Sequence, residues 1–259
     1  MMVLKYAKYG NLRNYLKTNF SNLKWKEKSF FLKNIALNLQ AIHERNYIHK
    51  DLHSGNILQF DHDFAKITDL GLAQLINNSK SFKSSNVCGV LPYIAPEVLD
   101  GKPYTFASDV YSFGIIMVEV STGKPPYGNV PHDGKLALAI CNGLRPRVAK
   151  GTPQFYIDLV NQCLDANPEK RPSSDTLWKM ISNWPGDRKF INANEIISQD
   201  YSSETVINPE AIYTSRFMSF TNLSRPINST GVQTEDPEGK NIYSKIILRH
   251  LNLLTFNYF

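Results

Sequence analysis

Apolar residues recur at helical spacing along most of this chain and at strand spacing in only a few short places. Leu32, Ile35, Ala36, Leu39 and Ile42 share one face, which predicts an amphipathic helix over residues 30–43. From Val110 to Val120 the chain is apolar on nearly every side and stops at Gly123, ahead of Pro125-Pro126. That pattern predicts a helix buried all round, at the centre of the core. Leu136/Ala139/Ile140, Phe155/Leu159/Val160/Cys163 and Leu177/Met180/Ile181 mark further helical stripes, and Leu12, Tyr15 and Leu16 begin a short one after a loop at Tyr9-Gly10-Asn11. Between the two long helices, Tyr47-Ile48, residues 57–60 and residues 65–68 read as strands, the last two joined by a turn at Asp61-His62-Asp63. The expected class is α+β, mainly helical, with small β-hairpins.

After Pro185 the pattern changes. Residues 186–259 are rich in Ser, Thr and Asn with few periodic apolar positions, and the formal charge falls from +7 through Gly186 to −1 beyond it. Three zones follow: 1–16, 17–185, and a separate, poorly structured tail at 186–259. A composition of 42% hydrophobic and 20% charged residues excludes wholesale disorder and fibrous repeats. The net charge of +6 is spread along the chain, which disfavours a nucleic-acid groove. Lys17, Lys24, Lys26, Lys28 and Lys33 around Trp25 read as a solvated helix face beside a packed ring. Cys88, Cys141 and Cys163 are an odd number without metal spacing, pointing to a reducing compartment. With no signal-like start and no apolar run of membrane length, a soluble cytoplasmic protein is expected, with no membrane partner.

The densest chemistry lies in Ile48-His49-Lys50-Asp51-Leu52-His53-Ser54-Gly55-Asn56-Ile57-Leu58, followed after the hairpin by Thr68-Asp69-Leu70-Gly71. An Asp and an Asn on one loop and a second Asp beyond a hairpin can converge on one point. Phosphoryl transfer needs such a point: a carboxylate to orient and deprotonate the attacking hydroxyl, and a carboxylate with an amide to hold Mg²⁺.

These residues resemble the eukaryotic protein kinases. His49-Lys50-Asp51 is similar to the family's His-Arg-Asp, Asp69-Leu70-Gly71 to Asp-Phe-Gly, and Ala95-Pro96-Glu97 to Ala-Pro-Glu. Asp109-Val110-Tyr111-Ser112-Phe113-Gly114 resembles the start of its central buried helix, and Arg171-Pro172 its late arginine. The wording Asp-Leu-His-Ser-Gly-Asn looks most like the tyrosine-kinase-like group. The resemblance implies a kinase C-terminal lobe, ATP and Mg²⁺ as cofactors, and a protein substrate. It implies Asp51 as catalytic base, Asn56 and Asp69 as metal ligands, and Leu58 beneath the adenine. Leu4, Tyr6 and Ala7 would lie in the hinge along the adenine edge. His49 and Leu70 would stack in a hydrophobic column tethered by Asp109, Glu97 would pair with Arg171, and Ser79, Ser81, Ser84 and Ser85 would be phosphosites in the activation segment. Lys50 in place of Arg keeps a charge but loses the planar fork.

The resemblance also implies that the chain starts at the hinge. It contains no Gly-x-Gly-x-x-Gly and no Val-Ala-x-Lys, so weak ATP binding and poor catalysis are expected of it as it stands. Two alternatives accompany this reading. One is a pseudokinase or lobe fragment acting as a protein-binding module. The other is a small-molecule phosphotransferase similar to aminoglycoside and choline kinases, whose Asp-Leu-His-Pro-Gly-Asn loop residues 51–56 also fit; Ala95-Pro96-Glu97, Asp109 and Arg171 together argue against it.

Overall fold

Residues 5–61, 64–76, 86–184, 207–220 and 223–228 are described by the computed structural model of the chain. Helix α1 (Leu12–Asn19) starts where the Asn11 side chain accepts a hydrogen bond from the Asn14 amide. Helix α2 (Trp25–His43) begins five positions before the expected start, because Glu27 reaches back to the Lys24 amide and caps a turn that carries no apolar stripe.

Three two-stranded antiparallel ribbons follow. Strand β1 (Tyr47–Ile48) pairs with β4 (Gln74–Leu75), and β2 (Ile57–Asp61) pairs with β3 (Phe64–Ile67) with Ile57 opposite Ile67. Strand β5 (Asn86–Gly89) pairs with β6 (Arg216–Ser219). The hairpin and β1 match the sequence pattern; β4, β5 and β6 were not foreseen.

After β5 come α3 (Pro96–Leu99), α4 (Phe106–Thr122), α5 (Gly134–Cys141), α6 (Gln154–Cys163) and α7 (Ser174–Ser182). Helix α4 is the expected centre: its residues 108–121 are buried, Thr105 and Ser108 cap its start, and Gly123 ends it at φ +69°. Glycine is required there twice over, for that left-handed backbone and because a Cβ would sit 2.4 Å from the Phe20 ring. Gly114, in mid-helix, lets α6 approach: a Cβ would come within 2.7 Å of the Cys163 Cβ.

Around α4 pack Leu12, Phe31, Leu32, Ile35, Leu159 and Leu177, all fully buried. Trp25 meets Tyr156 edge-on at 5.0 Å, and the Tyr156 hydroxyl donates to the Met117 carbonyl at 2.6 Å, so the buried ring leaves no unmet polar atom.

Two expectations are corrected. Lys28 is not on a solvated face: it is fully buried, its Nζ 3.8 Å from the centre of the Phe20 ring and 5.0 Å from that of Trp25. The segment from 186 onward is not separate throughout. Residues 207–220 and 223–228 lie on the helical body through β6 and through bonds such as Asn228 Oδ1 accepting from the Ala166 amide at 2.7 Å. Its polar composition hid this, because the docking rests on backbone pairing and on side-chain contacts with residues far away in the chain, which no periodicity reveals. Among the described residues no helix is long and apolar enough to cross a membrane.

Candidate active site

The loop from Ile48 to Asn56 is held from below by one carboxylate. Asp109, near the start of α4 and 1% exposed, accepts the His49 amide at 2.8 Å on Oδ2 and the Lys50 amide at 3.0 Å on Oδ1. Its Oδ2 also lies 2.9 Å from His43 Nε2, and the other nitrogen of that ring meets Ser174 Oγ at 3.0 Å. A central helix, α2 and α7 thus fix the loop, which turns at Lys50 with φ +70°. A non-glycine residue in that region is strained and needs such anchoring.

His49 is fully buried, with Nδ1 accepting the Asp51 amide at 3.3 Å and Nε2 donating to the Thr68 carbonyl at 3.0 Å. Both nitrogens are used in the Nε2-protonated tautomer, so the ring joins the loop to the residue before Asp69. Thr68 in turn donates its amide (2.8 Å) and hydroxyl (3.1 Å) to the Asn56 carbonyl. These bonds tie the backbone just before Asp69 to the loop that carries Asp51 and Asn56.

At the centre is Asp51, 7% exposed. Its Oδ2 accepts from Asn56 Nδ2 at 3.3 Å and from Ser215 Oγ at 2.5 Å, and His53 Nε2 lies 3.7 Å away. Asn56 Nδ2 also donates to the Asp51 carbonyl at 3.0 Å. Burial alone pushes the Asp51 carboxyl up, but hydrogen bonds from His53 and Ser215 and the nearby histidines outweigh it and hold it below the usual aspartate value. The other oxygen, Oδ1, is buried with no hydrogen-bond partner among the described residues. It faces Gly89, where a Cβ would sit 3.5 Å away. An ionised carboxylate with one oxygen held and one unmet is suited to take a proton.

The residues expected to hold a metal fit the chemistry of Mg²⁺. Asn56 uses its amide nitrogen on Asp51, leaving a carbonyl oxygen as donor; Asp69 is exposed, at φ +60°, with Oδ1 accepting the Gly71 amide at 3.3 Å. Oxygen donors of this kind suit a hard cation that keeps part of its water.

The expected adenine contacts are less uniform. Leu58 is half-buried in β2, opposite Lys66 and bridged to Asn11. Ala7 is buried, and its carbonyl closes a turn by accepting the Gly10 amide at 3.1 Å. The Tyr6 side chain is 84% exposed. Leu4 lies outside the described residues, as do Ser79, Ser81, Ser84 and Ser85. Leu70 is 57% exposed and lines an open cavity of about 640 Å³ with Leu37, Tyr47 and Ile67.

Behind the site, Arg171 holds Glu97 through two bonds of 2.7 Å. Sequence reasoning missed a second buried hub, on Glu119. Its carboxylate accepts from Ser54 Oγ at 2.9 Å and Tyr93 OH at 2.6 Å, with Arg13 Nε at 3.7 Å. Burial pushes this carboxyl up, against the Arg13 charge and these hydrogen bonds. The signal was available: Glu119 is the one charge in the apolar run 110–120, and such a residue needs partners. Ser215 carried no signal at all.

Comparison with known proteins identifies the family. The family model described as protein tyrosine and serine/threonine kinase matches residues 1–181. A Dictyostelium discoideum protein named as a probable serine/threonine-protein kinase is 34% identical over 150 residues, 58% of this chain and 9% of the relative. Another from that organism, named likewise, is 34% identical over 175 residues, 66% of this chain and 16% of the relative. The human tyrosine-protein kinase FRK is 28% identical over 202 residues, 76% of this chain and 40% of FRK. The chain thus spans less than half the length of each of these relatives. With the match running from residue 1 to residue 181, the chain belongs to the protein tyrosine and serine/threonine kinase family.

Proposed function

We propose that this chain is the C-terminal lobe of a tyrosine-kinase-like protein kinase, which transfers the γ-phosphoryl group of ATP to a protein hydroxyl. The observation that carries this reading is the buried, ionised Asp51 with a hydroxyl, that of Ser215, already on its Oδ2 at 2.5 Å. In the step, the acceptor oxygen forms a bond to the γ-phosphorus, the bond from that phosphorus to the β,γ-bridging oxygen breaks and ADP leaves. The acceptor proton passes to Asp51 Oδ2. Asn56 holds Asp51 in orientation through its amide, and His49 fixes the backbone before it. Mg²⁺ held by Asn56 and Asp69 would neutralise charge on the phosphates.

The tyrosine-kinase-like assignment draws on residues 51–56, and relatives named for serine/threonine and for tyrosine specificity are both similar to this chain. A role as a binding module without catalysis draws on the exposure of Tyr6 and Leu70, where an N-terminal lobe would lie. One experiment separates the two. With a kinase N-terminal lobe supplied ahead of Val3, the chain should phosphorylate protein in a Mg²⁺-dependent way, and Asp51→Asn should remove the activity by at least about a hundredfold. A complemented chain that folds and binds ATP yet transfers nothing supports the binding module.

A further inference from the structure

The segment 207–220 does more than cover the helical body; it passes directly over Asp51. Its first part is anchored by His132, whose amide donates to the Glu210 carbonyl at 3.0 Å and whose Nδ1 meets the Ile212 carbonyl at 2.8 Å. Arg13 then takes the Tyr213 carbonyl at 2.9 Å and stacks over the Tyr213 ring at 4.8 Å. The last part, β6, adds as an antiparallel strand to β5, with Gly89 opposite Arg216 and Cys88 opposite Phe217. Between these anchors Ser215 places its Oγ 2.5 Å from Asp51 Oδ2.

The geometry around Ser215 is that of an acceptor rather than a plug. His53 Nδ1 accepts the Gly55 amide at 3.0 Å, which leaves the proton on Nε2, and Nε2 lies 3.4 Å from Ser215 Oγ. With His53 donating to the hydroxyl oxygen, the Ser215 proton is directed onto Asp51. Ser215 as a residue is exposed. A general base must lie within hydrogen-bond reach of the proton it takes, and this one does. Any other hydroxyl reaching Asp51 Oδ2 would have to displace this segment.

We infer that residues 207–220 are an intramolecular substrate held across Asp51 on the edge of β5, with Ser215 as the phosphoacceptor. The inference rests on the kinase reading above and narrows its substrate to a serine in an extended segment added to β5. In the reaction Ser215 Oγ bonds to the γ-phosphorus of ATP, its proton goes to Asp51, and ADP leaves. Tethering makes the step unimolecular in protein.

Two measurements on the full chain test this. The first needs no catalysis: Phe217→Cys faces the natural Cys88 across the ladder, at a separation a disulfide can span. Mild oxidation should join residues 88 and 217, and the same variant carrying Cys88→Ser should stay unlinked; absence of the 88–217 bond overturns the docking. The second is phosphosite mapping after long incubation with excess MgATP, where one turnover per molecule is enough to register. Phosphate should appear on Ser215 with a rate constant unchanged over a tenfold range of protein concentration, and should be lost in Ser215→Ala and in Asp51→Asn. Phosphate on an added peptide or another residue with none on Ser215 overturns the inference and leaves the kinase reading intact, as does a rate proportional to protein concentration. If no hydroxyl is phosphorylated with Asp51 intact, even after an N-terminal lobe is supplied, the kinase reading fails and Ser215 as acceptor fails with it, whatever the disulfide shows.

Discussion

Arg171 and Glu97, 74 positions apart, are joined by two parallel bonds of 2.7 Å, with the Arg171 side chain fully out of water and that of Glu97 9% exposed. The same guanidinium donates to the Asp165 and Ala107 carbonyls at 2.9 Å, so nearly all its donors are used. On the surface, Lys179 and Asp175 approach equally closely, 2.7 Å, at side-chain exposures of 61% and 47%. Distance is equal in the two pairs and burial is not. Removing one member of a buried pair leaves an uncompensated charge and costs about 3–5 kcal/mol, whereas exposed pairs contribute about 0–1 kcal/mol. Arg171→Ala should therefore lower the unfolding free energy by several times the loss in Lys179→Ala, as read by denaturant melts of both variants. Equal losses would show that the buried pair does not tie the two regions together.

Asp109 takes two backbone amides and one imidazole on a single carboxylate. Asp109→Ala leaves the His49 and Lys50 amides without an acceptor in a buried place, at about 1–3 kcal/mol for each orphaned group. The expected outcome is a stability loss of at least about 2 kcal/mol together with faster amide exchange at His49, Lys50 and Asp51. Exchange unchanged at these positions would mean the loop is held by other contacts.

Gly114 sets two effects against each other. Replacing it with Ala in mid-helix favours the helix by roughly 0.5–1 kcal/mol. The new methyl, however, lands 2.7 Å from the Cys163 Cβ and 2.8 Å from Leu164 Cδ2. The first of these atoms is fixed to the backbone of α6 and cannot rotate away, and overpacking of this kind costs about 1–3 kcal/mol. Gly114→Ala should be destabilising by thermal melting; a gain in midpoint would mean that α6 yields freely.

Lys28 makes stability depend on pH. Burial lowers its pKa from 10.5 to about 7, a little offset by Glu27. Between these values the unfolded chain holds a proton that the folded chain lacks, so unfolding takes up protons and stability rises with pH, by up to about 1.4 kcal/mol per unit. Above about pH 9 the trend is opposed, because burial raises the Cys141 and Cys163 thiols to about 12 and the unfolded chain loses those protons first. Between about pH 7 and 9, Lys28→Met should flatten the rise and leave the protein more stable at pH 7 than the parent. Parallel pH profiles for the two proteins would refute a neutral Lys28.

Much of this protein was legible in sequence because the relevant signals are local. The stripe from Leu32 to Ile42 needs only the 3.6-residue period, and the all-round apolarity of 110–120 with Gly123 beyond it fixed both the burial and the end of α4. Asp51, Asn56 and Asp69 could be read as a set because one loop and one short hairpin separate them, and Glu97 with Arg171 through motif order. What the sequence could not determine depends on partners distant along the chain. Lys28 looks like any solvated lysine until Phe20 and Trp25 close over its amine. Ser215 is one serine in a polar stretch, 164 positions from Asp51, and becomes a ligand of that carboxylate only because β6 docks on β5 in one register. Backbone pairing between such segments is set by which edge remains free once the helices have packed, and that is decided in three dimensions.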